Sequence, residues 1–345
     1  MLHPYRSSKS FPGLGSFRRI PRWTPPAVLA WILLSASACS QQPERPTPAT
    51  STVPKAPFVR VVGSVQDGGF PHVACSHEAC RKARESGARR LVAGLAVVLP
   101  GPERTYLVDA TPDVAAQLEL LADVRRPPQD RVDREPVDGI FLTHAHIGHY
   151  VGLAFFGFEA VHTRLLPVYC TRRMASYLRT NGPWSQMVET GNIVLAEIEL
   201  DQPQRLGDDV TVTAIRSPHR DEFSDTVGFI IRGPRSSLLY LPDTDSWQAW
   251  STPVLEVLQH VDVALLDGTF YSRDEMPGRD VVSIGHPLIE ESIRRFGEGN
   301  GDGGTRIYFT HLNHSNPALD PDGIEAARIR AAGFGIVREG DEFEL

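Results

Sequence analysis

FLTHAHIGHY, residues 141–150, sets His144, His146 and His149 within six positions, directly after an apolar run. Packing does not account for three imidazoles so close together. Neutral imidazole is the commonest metal ligand near neutral pH, and side chains two apart on an extended segment point the same way. His144 and His146 can therefore grip one ion while His149 serves a neighbouring position. The competing reading is a polar loop whose histidines cap a strand and open a helix. A cluster of three favours metal over that reading.

Outward from the cluster, residues 138–142 read as the strand that feeds it and 151–156 as the start of a helix behind it. Upstream, 58–65, 91–99 and 105–108 read as strands, and Asp67, Gly68 and Gly69 break the first of them into a loop. A short helix is expected at 81–85, and Val114, Leu118 and Leu121 give 113–121 helical spacing. Downstream, strands are expected at 166–169, 193–200, 210–216, 226–231, 238–241, 261–266 and 306–309, with a helix at 172–179. Residues 180–191, 160–167 and 271–283 read as loops without a motif. His219, Asp243, Asp267 and His311 all fall just past expected strand ends, where rigid scaffolds present site residues. Two runs of strands, each followed by helices, predict one layered α/β domain over 58–345, near the upper size for a single core.

The termini and the charge bound the function. A net charge of -7 and the lack of a basic stripe in the body of the chain argue against nucleic acid as a partner. Arg18, Arg19 and Arg22 precede the apolar run 27–34 (AVLAWILL), which is too short to span a membrane and suits an export signal. Ala36, Ser37 and Ala38 lead into Cys39 in the manner of a bacterial lipoprotein cleavage box. The expectation is a signal peptide at 1–38, lipidation at Cys39, and a membrane-anchored protein facing the periplasm or cell exterior; an ordinary cleaved signal is the alternative. Residues 39–57, rich in Pro, Thr and Ser, form a tether. A small-molecule substrate is expected, and a homo-oligomer is compatible with the sequence.

A second cluster lies at Cys75, His77 and Cys80, three N/S donors within six residues. Tetrahedral zinc would need one more ligand from elsewhere. A Cys75–Cys80 disulfide, suited to an oxidising compartment, is the rival. Cys170, alone after an apolar strand, reads as a packing residue.

The ordered set of elements and ligands resembles the metallo-β-lactamase superfamily, an αββα sandwich with a metal site at one edge. Its pattern is HxHxDH, then a distant His, an Asp after a later strand, and a final His. His144, His146 and His149 match the cluster, His219 the distant His, Asp243 the bridging Asp and His311 the last ligand. GSVQDGGFPHVAC (63–75), SPHRDEFSDTVGF (217–229), LLDGTF (265–270) and HLNHSNP (311–317) are similar to the branch holding pyrroloquinoline quinone biosynthesis protein B and the phosphodiesterase of the carbon-phosphorus lyase pathway. That resemblance implies a structural zinc on Cys75, His77, Cys80 and His314.

The chain departs from the family at Gly148, where the usual cluster has an Asp that binds the second metal and helps orient the attacking water. The resemblance then implies a first site of His144, His146 and His219 with Asp243 bridging, and a second reduced to His149, His311 and Asp243. Zn, Mn or Fe fits such donors. Asp221 and Asp267 are candidates to replace the missing carboxylate, His286 is a candidate lining the cleft, and Asp109 is expected to hold a ligand His by a hydrogen bond. The implied activity is hydrolysis of an ester-type bond, phosphodiesters favoured, by hydroxide formed where a metal lowers the pKa of water to about 7. Two other classes stay open: a non-haem redox enzyme using His149, His311 and Asp243, and a metal-retaining binding protein without turnover.

Overall fold

Alternation of apolar side chains builds three parallel layers of core. In Gly94–Leu99, Leu95, Val97 and Leu99 face one way and Ala96 and Val98 the other, as a strand buried on both faces requires. The computed structural model describes residues 56–345, except 126–134, 208, 277, 279, 281–283 and 298–303. The expected signal peptide, Cys39 and the tether as far as residue 55 lie outside the described residues.

The first sheet runs in the order β14-β1-β2-β3-β4-β5-β6, comprising Glu342–Glu344, Phe58–Gly63, Gly94–Leu99, Arg104–Val108, Gly139–Phe141, Leu166–Cys170 and Ile193–Glu197. The second runs β13-β12-β11-β10-β9-β8-β7, comprising Gly335–Ile336, Arg306–Thr310, Val263–Asp267, Ser237–Leu241, Val227–Arg232, Thr211–Arg216 and Pro203–Arg205. Each sheet is antiparallel on one side and parallel on the other. The change falls at β3 in the first sheet and at β10 in the second.

Between the sheets, Phe141 stacks on Tyr169 at 4.4 Å between ring centroids and meets Phe229 edge-on at 5.6 Å. Such close-packed aromatic positions are where truncation to Ala generally costs most, roughly 3–5 kcal/mol. The outer face of the first sheet is covered by α2 (Val114–Glu119), α4 (Arg172–Thr180) and α5 (Trp184–Glu189), which contribute Val114, Leu118, Met174, Leu178 and Trp184. That of the second is covered by α6 (Val254–Leu258), α7 (Ile289–Phe296) and α8 (Ile324–Ala331). The result is the expected four-layer αββα sandwich.

Three expectations need correction. Residues 180–191 hold α5 rather than a loop, because Trp184 and Met187 are three apart and both bury against the first sheet. The first turn behind the histidine cluster is α3 (Ile147–Tyr150), which tightens into a 3₁₀ turn at Val151–Phe156 instead of a longer α-helix. The early short helix, α1, is longer than expected at Glu78–Ser86 and ends on Gly87 in the left-handed conformation.

The topology also fixes where a site can form. Because β1 and β3 both run antiparallel to β2, and β4 runs parallel to β3, the chain leaves β1, β3 and β4 at one end of the sheet. By the same reasoning it leaves β8, β10, β11 and β12 at one end of the other. The loops after six of these strands carry Asp67, Asp109, His144, His219, Asp243 and His311, and Asp267 is the last residue of β11. Crevices at the carboxyl ends of parallel strands, near the point where strand order reverses, are where α/β sheets bind ligands.

Candidate metal centre

Four histidines are held from behind by one ring nitrogen. His144 Nδ1 lies 3.0 Å from Thr143 Oγ1, whose own hydroxyl is 3.0 Å from both oxygens of Asp109. If Thr143 donates to Asp109, it must accept from His144, which places the proton on Nδ1 and leaves Nε2 with a free lone pair. His149 Nδ1 lies 2.7 Å from Asp109 Oδ2, His219 Nδ1 2.9 Å from Asp245 Oδ1, and His311 Nδ1 2.9 Å from Thr269 Oγ1. Asp109 thus takes the supporting role expected of it. The backbones of Asp109 and His311 both sit at positive φ, 69° and 61°, a conformation uncommon for non-glycine residues.

The forward nitrogens converge. Nε2 of His144, His149, His219 and His311 and Oδ2 of Asp243 are all buried without a hydrogen-bond partner. Leaving five such atoms unsatisfied in a protein interior would be costly, so this arrangement fits a cation that binds them together. His149 Nε2 comes within 3.0 Å of Asp243 Oδ2 yet is not aligned as a hydrogen bond, as expected when both atoms aim at a shared point. His311 Nε2 stands 3.4 Å from Asp243 Oδ2, and His219 Nε2 3.7 Å from Asp243 Oδ1. The ligand atoms of His144, His146 and His219 also lie within 4.8 Å of one another. His146 differs from the others in that its Nε2 meets Glu222 Oε2 at 3.0 Å, at the exposed rim.

The electrostatics are those of a site built around positive charge. Burial alone pushes the Asp243 carboxyl up, but His311 and His149 outweigh it and hold the group well below the usual carboxylate range. Burial and then the charge of His149 keep His144 well below its ordinary value, hence neutral. His149 is pulled down by burial but raised well above its ordinary value by Asp109 and Asp243. A proton there does the work a cation could do between two buried carboxylates.

The structure relocates several sequence candidates. Asp221 is not among the gathered ligands; it pairs with Arg216 and takes a bond from Thr226 Oγ1 at 3.3 Å. Asp267 does not replace the missing carboxylate either. Its Oδ2 meets His286 Nδ1 at 2.7 Å and accepts from Thr244 N, while its Oδ1 accepts from Thr269 N, so its lone pairs are directed at protein. His286 is buried beside Asp243, with Nδ1 3.9 Å from Asp243 Oδ1, and its ring lies 5.4 Å from that of His219. Burial lowers its pKa, but Asp267 more than reverses this and raises it to about 9.

Sequence reasoning missed Asp67 as a site residue. It belongs to the group Asp67, His149 and His311. The signal was its place: it follows β1, which leaves the sheet at the same end as the other ligand-bearing strands.

At the second cluster, Cys75 Sγ and Cys80 Sγ each lie 3.6 Å from His314 Nδ1. Both thiols are free, so the disulfide reading does not hold. His77 stands at the N-terminus of α1 with an exposed ring, and its backbone N–H donates to Cys75 Sγ at 3.3 Å. Burial and then the charges of His72 and His77 lower His314 to about 4, which keeps it neutral and competent as a ligand. Cys170 is buried in the first sheet's outer core, as expected of a packing residue.

Two sheets with a histidine–aspartate centre at one edge define a metallo-β-lactamase-type protein, and the chain belongs to the Beta-lactamase superfamily, whose domain matches residues 104–319. Within it, the chain is 27% identical over 327 residues to coenzyme PQQ synthesis protein B of Nitrosococcus oceani, covering 84% of this chain and 100% of that protein. It is 29% identical over 315 residues to the protein of the same name from Stutzerimonas stutzeri, covering 83% and 99%. Zn(2+)-bound PqqB from Methylobacterium extorquens superposes with a TM-score of 0.68 at 22% identity, over 84% of this chain and 100% of that one. A diphosphatase of the PhnP family does so with a TM-score of 0.60 at 19% identity, over 84% and 97%. At these identities the two structures speak for the fold.

Proposed function

We propose that the chain is a metal-dependent hydrolase of ester-type bonds, with phosphodiesters as the favoured substrates. The observation that carries this is the set of buried, partnerless Nε2 atoms from four histidines around the Asp243 carboxylate, a donor set large enough for more than one ion. His144, His146 and His219 would hold one ion and His149 and His311 another, with Asp243 between them. Bound there, such ions polarise a phosphoryl or carbonyl oxygen and bring the pKa of water from its bulk value to about 7. Asp109, Thr143, Asp245 and Thr269 fix the ligand rings, so little reorganisation is needed when charge develops. His286, tied to Asp267 through Nδ1, is placed to hold a proton near the reacting group and pass it to a leaving oxygen. The test is hydrolysis of bis(p-nitrophenyl) phosphate by the zinc or manganese form and its loss in His146→Ala; no turnover across a panel of esters would sink the reading.

The relatives named coenzyme PQQ synthesis protein B favour a second reading, a non-haem redox enzyme in which His149, His311 and a carboxylate hold Fe(II). Metal analysis after anaerobic and aerobic purification separates the two, because only the redox reading expects iron that is lost or oxidised in air.

Two further features complete the proposal. Cys75, Cys80 and His314 hold a structural zinc, with His77 as the ligand the family resemblance adds. The mature protein is exported and anchored through lipid on Cys39. Labelled palmitate incorporated by the wild type but not by Cys39→Ser would support the anchor, and equal labelling of both would refute it.

A further inference from the structure

We propose that Asp67 supplies the second-ion carboxylate that the family places at position 148, and that Gly148 is glycine because Asp67 occupies its side-chain space. The inference deepens the hydrolase reading and rests on it for the presence of ions. A β-carbon added at Gly148 would meet Asp67 Oδ1 at 2.2 Å, Asp67 Cγ at 2.5 Å and Asp67 Cα at 3.0 Å. The Asp67 carboxylate therefore fills the volume in which an aspartate on α3 would sit. The donor type is kept while the loop that delivers it has changed.

Distances fit coordination better than hydrogen bonding. Asp67 Oδ1 is 3.5 Å from His149 Nε2 and 3.5 Å from His311 Nε2. With His149–Asp243 at 3.0 Å and His311–Asp243 at 3.4 Å, four separations among four donors are known. A metal with N and O donors at about 2.0–2.1 Å sets tetrahedral neighbours about 3.3 Å apart. These four separations, 3.0–3.5 Å, match the edges of such a polyhedron.

The backbone explains why this loop can reach. Gln66 N donates to Leu312 O at 3.0 Å and Leu312 N to Ser64 O at 3.1 Å, so the segment before Asp67 is paired with the residue after His311. Gly69 N then closes a turn onto Gln66 O at 2.8 Å, with Gly69 at φ +70°, a conformation glycine adopts without strain. Asp67 is thus carried beside His311 by strand-like pairing.

The experiment counts metal ions per chain by mass spectrometry and follows cobalt(II) absorption, neither of which needs turnover. Wild type should bind about two ions at the histidine centre beyond any held by the cysteine cluster, and Asp67→Ala about one fewer. Gly148→Asp alone should also lose an ion, because its side chain collides with Asp67. Asp67→Gly combined with Gly148→Asp should recover the ion once the loop yields by a few tenths of an ångström. A wild type with a single ion, or Asp67→Ala with an undiminished count, overturns the proposal. If the double variant does not fold, Asp67→Ala still decides the matter, with its melting curve confirming the fold. Two ions without ester hydrolysis would defeat the hydrolase reading and leave the Asp67 assignment standing.

Discussion

The two metal-competent clusters hold their donors by opposite means. At the histidine–aspartate centre the support comes from side chains, Thr143, Asp109, Asp245 and Thr269, each fixing a ring through Nδ1. At the cysteine cluster it comes from backbone: His72 N and His77 N donate to the two sulfurs at 3.3 Å, and Arg84 clamps the carbonyls of Cys75 and His72. The first arrangement is preorganised and buried, as suits chemistry on a developing charge. In the second, Cys75 is half-buried, and an ion would tie the 72–80 loop to the 311–317 segment, as suits a clip that adds folding energy. One segment, His311 to His314, serves both.

If the histidine centre is the one that reacts, its loss should be the most severe. Asp243→Ala removes the carboxylate placed between both ion positions, and ester hydrolysis should fall by about 10³-fold or more, on the order of 4 kcal/mol in the barrier. Steady-state kinetics with metal counting checks this; a variant that keeps both ions and its rate would remove Asp243 from the centre. Asp109→Asn should cost less, about 10–100-fold in metal affinity, because it disturbs the hydrogen bonds behind His149 and Thr143 while leaving every ligand in place. Competition with a chelator measures it. Unchanged affinity would mean that packing, not Asp109, orients the ring.

The cysteine cluster should respond in stability instead. His314→Ala should lower the melting temperature by about 4–8 °C, the shift expected from roughly 2 kcal/mol in a domain of this size. The ion content of the histidine centre should be unchanged. A variant that melts normally but loses hydrolysis would reverse the roles assigned to the two clusters.

How much of this was legible in the sequence follows the same division. His144, His146, His149, His219, Asp243 and His311 could be read because each lies past an apolar run, and strand ends are visible as breaks in β-branched stretches. A layered α/β domain was visible in two runs of strands each followed by helices, and the αββα sandwich followed from the family resemblance. Asp67 escaped because QDGG reads as a turn, and nothing local shows that Val65 pairs with Leu312 far along the chain. Gly148 looked like a loss for the same reason, since the compensating residue is adjacent only in space. Asp221 and Asp267 were plausible by type, but a carboxylate's partner is a tertiary fact, here Arg216 for one and His286 for the other. Helix α5 was hidden by the short spacing of Trp184 and Met187, too little periodicity to separate helix from loop.

The smallest expected effect concerns the strip of chain the two clusters share. Glu275 accepts from Tyr271 N at 2.6 Å and Ser315 Oγ at 2.5 Å, which pins the 271–275 loop beside His314. Burial raises its carboxyl from the ordinary 4.5 to about 7, although both hydrogen bonds pull the other way. Because the folded value lies above the unfolded one, its contribution is fully present below pH of about 4.5 and is lost as pH rises through about 7. At about 1.4 kcal/mol per pH unit, the loss is on the order of 2 kcal/mol across that window after allowance for partial solvent contact. Glu275→Gln keeps the shape and the bond accepted from Tyr271 N, while its amide nitrogen can donate to Ser315 Oγ in place of the second accepted bond, and it cannot ionise. It should be more stable than wild type at pH 8 and nearly equal to it at pH 5, read as the difference between two denaturant titrations. A constant difference at both pH values would show that Glu275 is already ionised in the folded protein and that the strip linking the clusters is wetter than its packing implies.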